Sequence, residues 1–468
     1  MVNNLLNIRY EDTAYRSVMS RILDNIDDKE VKELAEAVAE LPIIATDDYF
    51  LHYSVIPRLV AENNNDILGK ALEIQKKYVE SDDYRRIKTL TTLDDDLSMI
   101  HAISLTKKIV EVIKKELEKQ PPQGGGRQGQ QGMNQLQQLR QLMQQLQQLQ
   151  QSGRGGTAVR QQLQQIKQQI RQMISNAMKN LSSQQVKKIL KDVNKQTENA
   201  KKLKDIGVGK NPGEFKKLLN LSEKIMNVKM YDEIITYGRK LYESMTRFTH
   251  IKKEIARFGD ELRGYTVTRR VERALPRELA LPEELVLLKL ASQGLLAREK
   301  VTVKEGAFYV LIDKSGSMMG EKTVWARSVA LALYMLAKRK RRKYFLRFFD
   351  TRVYPEKPIT NPAEAIEYIL TIESNGGTSI DTALETAIKD LRELKEYTNT
   401  IIIITDGEDH VATKPEQLLR ENITLIAVMI QGHNESLKQL AEKTKGMYTT
   451  AVLTPDGALA ILRLAEKT

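Results

Sequence analysis

The chain has no cysteine in its 468 residues. That excludes disulfides, thiolate zinc sites and cysteine nucleophiles. Aromatic residues make up only 6% of the chain, with a single tryptophan. No run of about 18 apolar residues occurs, so a membrane span is not expected. The start, MVNNLLNIRYEDTAYR, lacks a basic stretch followed by an apolar block, so no signal peptide is expected either. A cytoplasmic protein fits these absences, and the Lys/Glu/Ile-rich composition suits a thermophile. No G-x-x-x-x-G-K-[ST] phosphate loop appears, so the chain is not expected to hydrolyse ATP. Five histidines are present, His52, His101, His250, His410 and His433. They show no H-x-x-x-H spacing and read as ordinary core or surface residues.

The positive charge is local. Residues 121–210 carry 15 Lys/Arg against 3 Asp/Glu, a surplus equal to the +12 of the whole chain. Residues 1–120 are acidic, with 17 basic against 23 acidic side chains. The basic character thus belongs to one segment, and a nucleic-acid role for 121–210 is an alternative to weigh.

Length predicts two or three domains. Residues 1–120 read as a helical domain. DDKEVKELAEAVAELP (27–42) has apolar spacings of three and four, acids at its start and a proline after it. The stretch 121–132, PPQGGGRQGQQG, is a break. Two Gln-rich seams follow. Leu136, Leu139, Met143, Leu146 and Leu149 form one; Leu163, Ile166, Ile170, Met173, Ala177 and Leu181 form the other. Both keep near-heptad register, which predicts an antiparallel helical hairpin over 121–181 with SGRGGT (152–157) at its turn. The alternative is a disordered polar tract. Ser182 and Gln185 have capping-box spacing. Residues 182–300 read as further helix and a lead-in, and VTVKEG (301–306) ahead of AFYVLI resembles a hairpin.

Beyond residue 301 the pattern alternates. AFYVLI, YFLRFF, TIIIIT and ITLIAVMI are short apolar runs separated by helical stretches. This predicts an α/β domain over 301–468 whose parallel sheet is covered on both faces. Ligands in such folds bind beyond the carboxyl ends of the strands. Asp313, Ser315 and Ser317 follow one strand directly. Gly376, Gly377 and Thr378 form a glycine-led turn before a helix near Ile380. Asp406 follows TIIIIT, with Gly407 and Glu408 next and His410 close by. Three loops therefore bring oxygen donors to one rim. Hydroxyls of Ser315, Ser317 and Thr378 can coordinate a hard cation, and Asp313 and Asp406 can hold its waters and balance its charge. Mg²⁺ is the expected ion, with Mn²⁺ or Ca²⁺ as alternatives. A phosphatase of the haloacid dehalogenase type would need a second acid two residues after the first, where this chain has Ser315. KRKRRK (338–343) reads as a solvated helix end, and Trp325 as core.

The order D-K-S-G-S-M, G-G-T, T-D-G-E resembles the metal-ion-dependent adhesion site of von Willebrand factor A (VWA) domains. The resemblance covers roughly 301–468 and fills all five ligand positions, Asp313, Ser315, Ser317, Thr378 and Asp406. It implies a doubly wound, Rossmann-like VWA domain; with the helical readings above, the expected protein is multidomain, an α-helical N-terminal region with a helical hairpin and then that domain. It also implies a metal that bridges to an acidic residue of a partner. The layout, with ELALPEELVLLKLASQGLLAREK, is similar to cytosolic CoxE/ViaA-type partners of MoxR AAA+ ATPases. That implies a non-enzymatic adaptor or co-chaperone in protein maturation or remodelling, whose partners are a MoxR-type ATPase and a client offering an acid to the metal. The alternatives are a Ro-like RNA-binding protein using 121–210, in which no Phe, Tyr or Trp is available for stacking, and a scaffold in which the hairpin self-associates.

Overall fold

A computed structural model describes residues 5–7, 12–119, 134–151, 157–209, 213–253, 262–300, 306–394 and 399–467. The break read at 121–132, most of SGRGGT, and VTVKE of the predicted hairpin lie outside these. The chain divides into two compact units, Met1–Asp232 and Glu233–Thr468. Of the four stretches read from the sequence, 1–120 and 121–181 fall in the first unit, 301–468 in the second, and 182–300 runs across the boundary.

The first unit is built from helices. In chain order they are α1 (Thr13–Asp24), α2 (Lys29–Ala37), α3 (Glu40–Tyr53), α4 (Asp66–Val79), α5 (Asp82–Thr91) and α6 (Asp95–Lys119), then α7 (Gln135–Gln151), α8 (Thr157–Lys179), α9 (Ser183–Ile206), α10 (Phe215–Asn227) and the start of α11 (Lys229–Lys253). Side-chain caps fix several starts. Asp28 accepts from the Val31 N–H, Asn65 from Ile67 and Leu68, each satisfying amides that the helix leaves open. The capping box at Ser182 and Gln185 is present.

One sequence expectation is corrected. The stretch 27–42 is not a single helix closed by Pro42. It breaks after Ala37, and Pro42 sits inside the first turn of α3. That position suits proline, because a first-turn N–H has no intrahelical partner to lose.

The Gln-rich segments are helices, not a disordered tract. Leu136, Leu139 and Leu146 of α7 are buried, as are Ile170 and Ala177 of α8, while Met143, Leu163 and Ile166 are half-buried. The two helices pack on one another and also on α6, with α8 further touching α2 and α4.

The second unit holds two sheets. Strands β1 (Leu262–Thr268) and β2 (Leu295–Lys300) form an antiparallel pair. Between them lie α12 (Pro276–Leu279) and α13 (Glu283–Ser292). The main sheet has six strands: β3 (Phe308–Asp313), β4 (Tyr344–Phe349), β5 (Val353–Ile359), β6 (Asn399–Thr405), β7 (Ile423–Ile430) and β8 (Met447–Ala451), in the order β5-β4-β3-β6-β7-β8. All its pairings are parallel except that of the edge strand β5 with β4. β3, β4 and β6 are buried along their whole length, as expected of strands covered on both faces.

Alternation on the strands divides the cover. Tyr309, Leu311, Ile401, Ile403, Leu425 and Ala427 face a core shared with α16 (Ile380–Leu394), α17 (Pro415–Arg420) and α18 (Glu435–Lys443). On the other side α14 (Glu321–Lys340) packs against β3 and β4, flanked by α15 (Pro362–Thr371) and α19 (Pro455–Lys467). The chain leaves β3 toward β4 and returns to β6 on the opposite side. The crevice between the ends of β3 and β6 is therefore the switch point of this doubly wound sheet.

Trp325 is core, 3% exposed. KRKRRK is not wholly a solvated end. Arg342 is buried, its Nε donates to the Gly306 carbonyl at 2.6 Å, and its guanidinium lies 3.8 Å from the Phe308 ring centroid. Helix α14 stops at Lys340, and Arg341 in a left-handed conformation turns the chain inward.

Candidate functional site

The carboxyl ends of β3 and β6 deliver two acids. Asp313 closes β3 and is 2% exposed. Its Oδ1 accepts from the Ser315 N–H at 2.8 Å, and its Oδ2 from Thr405 Oγ1 at 2.5 Å, with Thr378 Oγ1 at 3.5 Å. Burial, with the neighbouring Asp406 charge adding to it, raises the Asp313 carboxyl above its ordinary value despite these donors. Ser315 Oγ lies 3.1 Å from Ser317 Oγ, and Ser317 Oγ donates to Asp406 Oδ1 at 2.8 Å. A continuous set of polar contacts thus runs from Thr378 through Asp313, Ser315 and Ser317 to Asp406. All five residues singled out in the sequence are in it.

Two features hold the loops in place. Lys314 is buried and its Nζ donates to Asp350 Oδ2 at 2.5 Å and to Asn375 Oδ1 at 3.0 Å, while lying 4.6 Å from the Tyr354 ring centroid. It ties the end of β3 to the end of β4 and to the glycine turn. Burial works against the Asp350 charge, but Lys314 and the Arg352 N–H hold its carboxyl below the ordinary range. The second feature is Gly376. Its φ is +95°, and a Cβ there would stand 3.0 Å from Asp350 Oδ2. Its carbonyl accepts from the Gly316 N–H at 3.1 Å. Only glycine meets both demands without strain.

Sequence reasoning missed three participants. Thr405 donates to Asp313 from the last position of β6. Lys322, in the first turn of α14, places Nζ 2.6 Å from Asp406 Oδ2. Asp350 secures Lys314. Each meets its partner across a long stretch of sequence, with no local pattern to mark it. His410 is exposed and outside this contact set, and Asp381 accepts from the Ala412 and Thr413 N–H groups.

The donor set is all oxygen and mixes two carboxylates with three hydroxyls, which suits a hard divalent cation more than zinc or copper. A buried carboxylate set beside a second one needs positive charge, and Lys322 supplies part of it.

A second polar cluster lies in the helical unit. Ligand atoms of Asp48, His52 and His101 fall within 4.8 Å of one another, and all three residues are buried. Each imidazole nitrogen already has a partner. His101 Nδ1 lies 2.6 Å from Asp48 Oδ2 and Nε2 3.1 Å from Asn194 Oδ1. His52 Nδ1 lies 2.9 Å from the Asp48 carbonyl and Nε2 3.5 Å from Tyr78 Oη. Burial, then the neighbouring His101, pushes His52 down to about 3. This is a buried polar network that joins α3, α4, α6 and α9.

The basic segment faces inward in part. Arg140 pairs with Glu30 at 3.8 Å, Arg171 with Glu40 at 2.6 Å, Lys179 with Asp66 at 3.0 Å and Lys204 with Asp94 at 2.6 Å. The acids all come from 1–120, so part of the surplus is matched within the unit. That weighs against a free phosphate-binding face.

Residues 308–408 match the family model described as the von Willebrand factor type A domain. A second model of the same description matches 127–190. Helices α7, α8 and the start of α9 occupy most of the described part of that stretch, which contains no strand among the described residues. An uncharacterized protein of Methanocaldococcus jannaschii is 26% identical over 302 residues, covering 59% of this chain and 68% of that protein. A protein of Acidianus two-tailed virus named for a VWFA domain is 27% identical over 266 residues, but the match spans only 28% of its length. Among solved structures, an aerotolerance-related membrane protein from Bacteroides fragilis is matched over its full length and 35% of this chain, with 16% identity and a TM-score of 0.30. A von Willebrand factor type A protein from Catenulispora acidiphila is matched over 42% of its length and 36% of this chain, with 20% identity and a TM-score of 0.27. The C-terminal fold is that of a VWA domain, and no helix among the described residues is long and apolar enough to cross a membrane.

Proposed function

We propose that this chain is a non-enzymatic adaptor whose VWA domain binds an acidic residue of a partner protein through a divalent cation. The observation that carries the reading is the continuous contact chain of Asp313, Ser315, Ser317, Thr378 and Asp406 at the switch point of the sheet. In this reading Ser315, Ser317 and Thr378 turn their hydroxyl oxygens to the ion, and Asp313 and Asp406 hold its waters. A bound Mg²⁺ supplies a Lewis-acidic centre with a position open to an external carboxylate. Lys314 and Gly376 keep the three loops in register. Thr405 orients Asp313. The hydroxyls of Ser317 and Thr405 are hydrogen-bonded to the two carboxylates assigned to the ion, so the reading gives these groups a binding role and not turnover.

The helical unit is proposed to meet the client or the ATPase, and a MoxR-type AAA+ ATPase is the partner to test first, as the sequence resemblance implies. The test is affinity capture from native lysate with the wild-type chain and Asp313→Ala, each in Mg²⁺ and in EDTA. The reading expects proteins, an AAA+ ATPase among them, retained only by the wild type in Mg²⁺. Equal retention by Asp313→Ala, or retention indifferent to EDTA, would sink it. RNA retained in both conditions and lost in high salt would move the function to the basic segment.

A further inference from the structure

Lys322 is an odd residue to find where it is. It occupies the second position of α14, where the helix dipole favours acids and disfavours cations. Its side chain is 22% exposed and that of Asp406 only 2%. Nζ takes Asp406 Oδ2 at 2.6 Å while Ser317 takes Oδ1 at 2.8 Å. Among the described residues Asp313 is met by neutral donors, Ser315 N–H, Thr405 and Thr378. The ammonium therefore serves one of two adjacent acids, at the oxygen set that the proposed cation would share.

We propose that Lys322 is a built-in counter-charge that makes divalent-cation binding here depend on an acidic ligand arriving with it. The inference rests on the adaptor reading above and names how the same site would be regulated. Charge counting gives the mechanism. Two carboxylates and one ammonium leave the site at −1. A divalent ion takes it to +1, and an incoming carboxylate returns it to zero. Without the ammonium the sequence is −2, zero, −1. The ammonium thus weakens binding of the metal alone and strengthens capture of the carboxylate that follows. Metal and carboxylate attract one another directly, a coupling that is reciprocal, and the lysine sets how far metal occupancy leans on it. Charges about 5 Å apart at an effective dielectric near 20 interact strongly enough to move a binding constant more than tenfold. The same arrangement would keep the VWA domain largely free of metal until a carboxylate is at hand.

The experiment titrates Mn²⁺ calorimetrically into the full chain, in chloride and in acetate at equal ionic strength, for wild type, Lys322→Met and Lys322→Arg. Folding of each variant is checked by the fluorescence of Trp325. The expected result is that Lys322→Met binds Mn²⁺ alone at least about tenfold more tightly than wild type and gains less from acetate. Lys322→Arg, which keeps the charge, stays near wild type. If folded Lys322→Met shows the wild-type affinity and the wild-type acetate effect, the lysine has no such role, although the metal site stands. If folded Lys322→Met binds Mn²⁺ more weakly, Lys322 merely positions Asp406 and the proposal is overturned. If neither wild type nor variant binds Mn²⁺ at millimolar concentration, the site reading falls and this inference falls with it.

Discussion

Replacing Lys314 by methionine tests how the site is held together. Lys314 and Asp350 are both about 7% exposed at the side chain and stand 2.5 Å apart. The change removes the cation and leaves a buried carboxylate, which keeps the Arg352 N–H at 2.7 Å. Breaking a buried pair from one side costs about 3–5 kcal/mol. The carboxyl can relieve itself by taking up a proton, and at pH 7 that costs about 4 kcal/mol for a reference pKa near 3.9. The penalty is thus capped, and Lys314→Met should cost about 3–4 kcal/mol at pH 7. At pH 5 the cap falls to about 1.5 kcal/mol, so the deficit should shrink. Urea unfolding followed by Trp325 is the assay, because the chain's single tryptophan lies in this unit. The double variant Lys314→Met with Asp350→Asn should recover at least about 2 kcal/mol of the summed single losses. A loss below about 1 kcal/mol at pH 7, or one that does not shrink at pH 5, would refute the reasoning.

Three further outcomes follow from the same geometry. Asp47 is buried, accepts from the Leu5 N–H at 2.6 Å and Tyr15 Oη at 2.9 Å, and burial raises it from 3.8 to about 7. The folded state then holds a proton that the unfolded chain releases near pH 4, so stability falls as pH rises from about 4 to 7, by up to about 4 kcal/mol; far-UV circular dichroism melts of Asp47→Asn should lose that slope. Arg342→Met should destabilise the VWA domain by about 2–4 kcal/mol in urea, since it removes a buried guanidinium held against Phe308 and the Gly306 carbonyl. Gly376→Ala should lower the melting temperature and loosen the Asp350 contact, through a Cβ only 3.0 Å from Oδ2 at a positive φ; an unchanged melting temperature would contradict the strain argued there.

The reach of the sequence was set by the range of the interactions. D-K-S-G-S and T-D-G-E carry strand, turn and donors within a few residues, so the rim could be read directly. The alternation of buried strands from Phe308 onward gave the sheet for the same reason. Lys322 meets Asp406 across 84 positions of sequence, and Lys314 meets Asp350 across 36. No local pattern announces such pairs. The network of Asp48, His52, Tyr78, His101 and Asn194 is hidden likewise, since it spans four helices. Arg342 sat inside a run of cations that reads as solvated, and only the left-handed turn at Arg341 sends it into the core. The acidic 1–120 and basic 121–210 were visible as opposite charges, but their mutual pairing needed the fold.

The most direct measurement of the central claim is electron paramagnetic resonance of Mn²⁺ with the full chain, comparing wild type with Asp313→Ala and His101→Gln. In acetate buffer, one bound ion per chain is expected in wild type and His101→Gln, and loss of that ion in folded Asp313→Ala. Mn²⁺ retained by Asp313→Ala but lost in His101→Gln would place the metal in the helical unit and contradict it.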